Sequence, residues 1–176
     1  MRIAAHITGI IAMIFSVLSY QFKTKKQILI AQMLCVIFFT LNFSLLYFSG
    51  TPDALTGAAL NVVCIIRNCC YMVCDQKDAP PKIRIAVTVF YMLVMLAVGI
   101  YTWNSIVSLL FIITMLLNTL AFSMKEPQKV RLIMLISAPF CFTYDLFTSS
   151  IGGMINEAFS AVSSSIALIR YRKQKN

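Results

Sequence analysis

The sequence predicts an all-α integral membrane protein with seven transmembrane helices. Of its 176 residues, 60% are apolar and 12% are charged, whereas an ordinary soluble domain is about 45–50% apolar and about 25% charged. The mean hydropathy is +0.84. The apolar residues form continuous runs of about 20 residues, the length that crosses a bilayer as a helix. They do not alternate at every second position, as the strands of a membrane β-barrel do.

Seven apolar segments account for most of the chain. They cover residues 3–21, 28–48, 54–74, 83–101, 104–123, 131–148 and 153–170. The length leaves no room for a separate soluble domain, so we expect one membrane domain over residues 1–176. Any function should then lie within the helix bundle.

Proline and glycine mark the breaks between these segments. Residues 49–53 form a turn in which Pro52 lies just before the third helix, where its missing N–H is harmless. Further breaks precede the fourth, sixth and seventh segments, at Pro80 and Pro81, Pro127, and Gly152 and Gly153. Only Pro139 lies inside a span, and we expect it to kink the sixth helix.

The basic residues predict the orientation in the membrane. Of the 15 Lys and Arg residues, 14 fall on alternate loops, which lie on the same side of the membrane, and only Arg2 falls on the opposite side. Because basic loops stay in the cytoplasm, the N-terminus should be outside and the C-terminus inside. The first segment has no small-residue cleavage pattern, so it should be a retained helix rather than a signal peptide. The net charge of +9 then reflects topology, and no nucleic-acid partner is expected.

The chain contains a weak internal repeat. A shift of 103 positions pairs residues 28–68 with 131–171, with eight identities and with Asn42 opposite Asp145. Because three helices form an odd-numbered unit, two parallel copies need a single linking span between them. We therefore predict a first three-helix repeat at 1–74, a linker helix at 83–101 and a second repeat at 104–171.

This order of three, one and three helices resembles the SWEET and PQ-loop superfamily. The stretches GAALNVVCIIRN at 57–68 and SIGGMINEAFS at 150–160, followed by IALIRYRK, resemble the YgjV-type bacterial inner-membrane protein family over essentially the whole chain. The resemblance implies an inner-membrane location and a SWEET-like fold. It also implies a Pro-Gln hinge in the first helix of each repeat. This sequence departs there, with Tyr20-Gln21 in the first copy and no proline in the fifth span.

Two carboxyl groups in the second repeat are candidate substrate-binding residues. Asp145 lies near the outer end of the sixth span, where it is either a snorkelling or capping carboxylate or a proton- or cation-responsive group in an outward vestibule. Glu157 lies in the first turn of the seventh span, where it either caps the helix or contacts a solute. Asn42 joins this set because the repeat places it at the height of Asp145.

Two further candidates come from the third helix of each repeat. SWEET-type proteins place an asparagine there to hydrogen-bond the solute, and the resemblance implies this role for Asn61 and, in the second copy, for Ser164. The alternative for both residues is hydrogen bonding between helices. Asn118 and Gln32 are weaker candidates.

Enzyme and metal signatures are missing from the sequence. It contains no HExxH, Walker A or GxSxG motif, and its six cysteines lack paired CxxC spacing. We expect no enzyme activity, no cofactor and no metal, and the lipid bilayer as the main partner. The leading hypothesis is a SWEET-like facilitator or carrier for a small polar solute. The alternative, favoured by the missing hinge prolines, is a non-transporting sensor or assembly partner that retains the fold.

Overall fold

A computed structural model describes residues 1–19, 25–77, 79–124 and 127–175, and within these ranges it contains seven α-helices and no strand. The helices are α1 (Arg2–Ser19), α2 (Lys25–Phe48), α3 (Ala54–Gln76), α4 (Pro81–Tyr101), α5 (Ile106–Ser123), α6 (Pro127–Phe147) and α7 (Ile151–Lys175). Each predicted segment corresponds to one helix, and every boundary agrees to within five residues. The prediction of an all-α chain is confirmed for the described residues.

Five of these helices are long and apolar enough to cross a membrane. They contain the stretches Ile30–Phe48, Ala54–Gln76, Pro81–Tyr101, Ile106–Ser123 and Lys129–Phe147. Helix α1 is apolar over a shorter stretch, Arg2–Leu18, and α7 carries serines and basic residues in its second half.

The surface and the interior of the bundle have opposite character. Large aliphatic and aromatic side chains are exposed along the helices, while asparagine, threonine, serine, aspartate and arginine side chains are buried. Near the predicted outer boundary, Tyr101 and Trp103 are exposed as expected for aromatic anchors. An apolar exterior around a polar interior is the arrangement of a helix bundle in lipid, where polar groups face inward.

The helices α1–α3 pack as one group of three and α5–α7 as another, and α4 packs against one helix of each group. Helix α2 packs between α1 and α3, and α6 packs between α5 and α7. The two groups meet where α1 contacts α7 and where α3 contacts α5, and α4 packs against α3 and α5. The predicted division into two repeats and a linker helix, and the SWEET-like arrangement, stay predictions.

Several predicted breaks are found at helix ends. Helix α4 begins at Pro81 and α6 begins at Pro127, while the α2–α3 turn uses Gly50 in the left-handed conformation, with a φ of 94°. Helix α6 continues through Pro139. The residues Tyr20 and Gln21 of the hinge position lie outside the described residues.

The expected break at Gly152 and Gly153 is wrong. Both residues lie in the first turn of α7, and the left-handed residue of the α6–α7 turn is Ser149, with a φ of 58°. The physical reason is close packing. A Cβ atom on Gly152 would overlap the backbone of Gly9 in α1, and one on Gly153 would overlap the carboxyl group of Asp145.

Candidate functional site

A cavity of about 150 Å³ lies in the middle of the bundle, between the two three-helix groups. Six helices line it, and α4 contributes no residue. A water molecule needs about 10–15 Å³ of such space, so the cavity can hold a cluster of waters or a small solute. Its lining on α5 runs from Phe111 to Phe122, a distance of about 16 Å at 1.5 Å per residue. The cavity is therefore elongated along the helices.

Two carboxyl groups lie at the end of the cavity nearest the α6–α7 turn. Asp145 is 2% exposed, and its Oδ2 atom accepts a long hydrogen bond from the Cys141 thiol at 3.8 Å. Its Oδ1 atom is buried and has no donor in hydrogen-bonding geometry among the described residues, while the Ser150 hydroxyl interacts with the carboxyl group. Glu157 accepts a hydrogen bond from the Asn156 amide at 3.2 Å, and the Cys141 thiol interacts with both carboxyl groups. This end of the cavity is acidic.

A buried arginine lines the same cavity from the second half of α3. Arg67 is 2% exposed and donates to the Thr119 hydroxyl at 2.6 Å and to the Asn68 amide oxygen at 3.0 and 3.2 Å. Its guanidinium group also lies 5.2 Å from the centre of the Phe122 ring. Among the described residues its acceptors are thus neutral. Arg67 lies six residues after Asn61, which is about 9 Å further along the helix.

Amide side chains also line the cavity. Asn61 of α3 is 5% exposed and faces the cavity, which Gln32, Asn118 and Asn156 also line. The Ser137 hydroxyl donates to the Asn118 amide oxygen at 3.2 Å. Amides both donate and accept hydrogen bonds, so these side chains suit an uncharged polar group of a solute.

Three aromatic rings lie between the cavity and the α2–α3 turn. Tyr144 packs against Phe111 with ring centres 4.4 Å apart and against Phe43 at 5.5 Å, and all three side chains are buried. Phe43 and Phe111 also line the cavity. We call these three residues the aromatic layer. It joins α2, α5 and α6 and covers this end of the cavity.

The structure brings together three of the five predicted site residues. Asn61, Asp145 and Glu157 line one cavity, whereas Asn42 and Ser164 do not. Asn42 donates to the carbonyl of Ala5 at 2.6 Å and accepts from the Ser150 hydroxyl at 2.9 Å, so it joins α1, α2 and the α6–α7 turn. Ser164 is buried outside the cavity lining. We therefore leave Asn42 and Ser164 out of the candidate site.

The register of the repeat explains the position of Asn42. The cavity-lining residues of α2 and α6 pair at a shift of 102 positions: Gln32 with Met134, Cys35 with Ser137, Phe39 with Cys141, and Phe43 with Asp145. The shift of 103 positions paired Asn42 with Asp145, and one residue rotates a side chain by about 100° around a helix. Asn42 thus faces away from the cavity. Ser164 lies about two turns beyond Glu157 along α7.

Sequence reasoning missed Arg67, Cys141 and the aromatic layer as site residues. Arg67 was assigned to the cytoplasmic loop charges, because its position near the end of a span is typical of a topology determinant. One signal could have identified Arg67 as a site residue. It lies within the apolar run of α3, and an arginine inside a span usually faces the bundle interior.

The fold and the cavity together define a helical membrane protein with a polar, charged centre. The chain belongs to the Imp-YgjV family, described as a bacterial inner membrane protein, whose family model matches residues 3–175. This confirms the YgjV-type resemblance and indicates the bacterial inner membrane. Comparison with curated proteins and with solved structures gave no match.

Proposed function

We propose that this protein is a facilitator or carrier for a small polar solute across the bacterial inner membrane. The observation that supports this proposal is the central cavity, which carries carboxyl, guanidinium and amide groups from both three-helix groups. Charged side chains inside a membrane bundle are costly, and those that occur usually mark a pathway or a binding site. A purely structural bundle needs neither the cavity nor these charges.

The packing of the helices suggests how such a carrier would work. The cavity lies where the two three-helix groups face each other, and the groups contact through α1 with α7 and α3 with α5. Rocking of one group against the other about these contacts would open the cavity to alternate sides, as in carriers built from repeats. In this scheme the aromatic layer closes one side, and Asn61 hydrogen-bonds the solute in the cavity.

The proposal is tested by uptake into proteoliposomes. The purified full-length protein is reconstituted, and uptake is measured for sugars, amino acids and vitamin precursors. We expect uptake of at least one solute, and a reduction of at least tenfold in Asn61→Ala. The matched control is Asn104→Ala, which alters an exposed asparagine in the α4–α5 loop. Failure of the folded protein to transport any solute of the panel would overturn the carrier proposal.

A second candidate is a non-transporting membrane protein, such as a sensor or an assembly partner. Helix α5 contains no proline. Because the SWEET-type resemblance implies a proline hinge in this helix, the missing proline favours the non-transporting candidate. The same uptake experiment separates the two functions: binding of a solute in the cavity without flux would support the second candidate.

A further inference from the structure

We propose that the solute carries a protonated amine, which binds to Asp145 and Glu157 at the acidic end of the cavity. This inference rests on the proposed function because it names the class of solute. It starts from an unusual group in the bundle, the carboxyl group of Asp145. Asp145 lines the cavity, and its Oδ1 atom is buried and has no described donor in hydrogen-bonding geometry, although the Ser150 hydroxyl interacts with the carboxyl group.

A buried carboxylate oxygen without a donor is unfavourable unless a ligand supplies one. The surroundings of Asp145 nevertheless accommodate a negative charge. Gly153, in the first turn of α7, has no side chain and packs directly against the carboxyl group. The positive end of a helix dipole favours an anion at this place. The fold thus leaves space for a carboxylate here, with the Cys141 thiol and the Ser150 hydroxyl beside it and no described donor in hydrogen-bonding geometry to Oδ1.

Glu157 adds a second acidic group to the same end of the cavity. The Cys141 thiol lies between the two carboxyl groups and interacts with both. No described cation neutralises them, since the guanidinium group of Arg67 bonds to Thr119 and Asn68. Two adjacent buried carboxyl groups without a described counter-charge attract either a proton or a cationic ligand.

The chemistry of this end fits an ammonium group better than a metal ion. An ammonium group offers three hydrogen-bond donors in a compact charge, and aromatic faces such as those of Phe43 and Phe111 attract it. Among the residues that the structure describes, no cluster of three or more His, Cys, Asp or Glu side chains could hold a metal ion. Hydroxyl groups of a sugar could donate to Oδ1, but they carry no charge to balance an ionised carboxyl group.

Arg67 distinguishes two kinds of solute that carry a protonated amine. A solute with only an amine would use the acidic end, whereas a zwitterion long enough to span the cavity would also place its anionic group on Arg67. Both solutes share the amine site, and the two differ only in whether Arg67 contributes to binding.

Binding to the purified full-length protein in detergent tests the inference without requiring transport. Four matched probes are used: propylamine, 1-propanol, 3-aminopropanoate and propanoate. We expect propylamine and 3-aminopropanoate to raise the Tm, and 1-propanol and propanoate to leave it unchanged. Asp145→Asn and Glu157→Gln should each weaken amine binding at least tenfold, equal to about 1.4 kcal/mol. Arg67→Gln should leave propylamine binding unchanged and should weaken the binding of a longer zwitterion, 8-aminooctanoate, if such a solute spans the cavity.

The matched control is Asp75→Asn, which alters a carboxyl group outside the cavity that pairs with Arg84 at 2.7 Å. This variant should bind amines like the wild type. Equal Tm shifts with propylamine and 1-propanol, or unchanged amine binding in both Asp145→Asn and Glu157→Gln, would overturn the inference. If Asp145→Asn does not fold, Glu157→Gln decides.

The outcomes also separate this inference from the proposed function. Amine binding that depends on the carboxyl groups, without uptake of any solute, supports the amine site and contradicts the carrier. Uptake of a sugar that leaves the amine probes without effect supports the carrier and contradicts the amine site.

Discussion

The hydroxyl group of Tyr144 accepts a hydrogen bond from the backbone N–H of Gly57 at 2.9 Å. The same hydroxyl donates to the carbonyl of Asp53 at 2.8 Å. Tyr144 belongs to α6, while Asp53 and Gly57 lie at the start of α3. One side chain of the second three-helix group thus bridges the Gly57 N–H and the Asp53 carbonyl of the other group, two groups that are i→i−4 partners in a regular helix.

Replacing Tyr144 by phenylalanine tests the importance of this link. The ring of Phe would keep the contacts with Phe43 and Phe111, but the N–H of Gly57 would be left buried without an acceptor. We expect the free energy of unfolding to fall by about 1–3 kcal/mol, measured as a lower Tm in detergent. Tyr47→Phe is the matched control, because Tyr47 is 38% exposed. Similar Tm values for the two variants would contradict a role for the hydroxyl group.

The sequence predicted the helices well because the hydrophobic length of a span and the prolines and glycines at its ends act locally. It predicted a buried Asp145 because a charged group within an apolar run must find a polar interior, whereas Asn61 came from the SWEET-type resemblance and Glu157 from its place near the start of the seventh span. Solute binding by these residues stays a prediction. It did not predict the link between Tyr144 and Gly57, which joins residues 87 positions apart. It also misplaced Asn42, because eight identities among common residues fix a repeat only to within a residue or so. That error changes the helix face.

The contact between Gly9 and Gly152 should tolerate no side chain. Here α1 and α7 approach so closely that a Cβ atom on Gly152 would overlap the backbone of Gly9. A backbone cannot turn aside as a flexible side chain can, so Gly152→Ala should cost about 3 kcal/mol, the upper part of the range for overpacking. Thermal unfolding of the purified protein measures this loss.

The control for Gly152 is Gly50, whose added Cβ would meet no atom within 4 Å but whose φ is 94°. Asparagine tolerates the left-handed conformation better than most residues, so Gly50→Asn should cost about 1 kcal/mol or less. An equal loss of stability in the two variants would show that backbone conformation, rather than helix contact, governs both positions.

The distribution of basic residues predicts that the α4–α5 loop faces outward and that the α3–α4 loop faces the cytoplasm. This is tested in a cysteine-free variant with a single cysteine at Asn104 or at Lys77, both of which are exposed. In intact cells with a permeabilised outer membrane, a membrane-impermeant thiol reagent should label Asn104→Cys and not Lys77→Cys. Lysed membranes should label both variants. The reverse pattern in intact cells would place the N-terminus inside.

Arg67 should be required for transport more than for folding. Its partners Thr119 and Asn68 are neutral, so Arg67→Met removes a buried charge without leaving an opposite charge unpaired, a change that often alters stability little. We expect a Tm close to that of the wild type and uptake reduced at least tenfold.

Arg67→Lys keeps the charge but cannot reproduce the planar set of donors that reaches both partners. Its uptake should lie between that of the wild type and that of Arg67→Met. A large drop in Tm together with normal uptake per folded protein would show that Arg67 is a structural residue.

The aromatic layer should control access to the cavity from the side of the α2–α3 turn. Cys141 lines the cavity and is buried, so it reports entry of a small cationic methanethiosulfonate reagent in a variant that retains this cysteine alone. Phe111→Leu removes a ring that covers the cavity while keeping an apolar side chain. We expect the labelling rate from that side to rise at least tenfold and the rate from the other side to stay the same. Phe48→Leu, at a residue that is 70% exposed, should change neither rate. Because loosening of the whole bundle would raise both rates together, an increase from both sides would contradict a closing role for the aromatic layer.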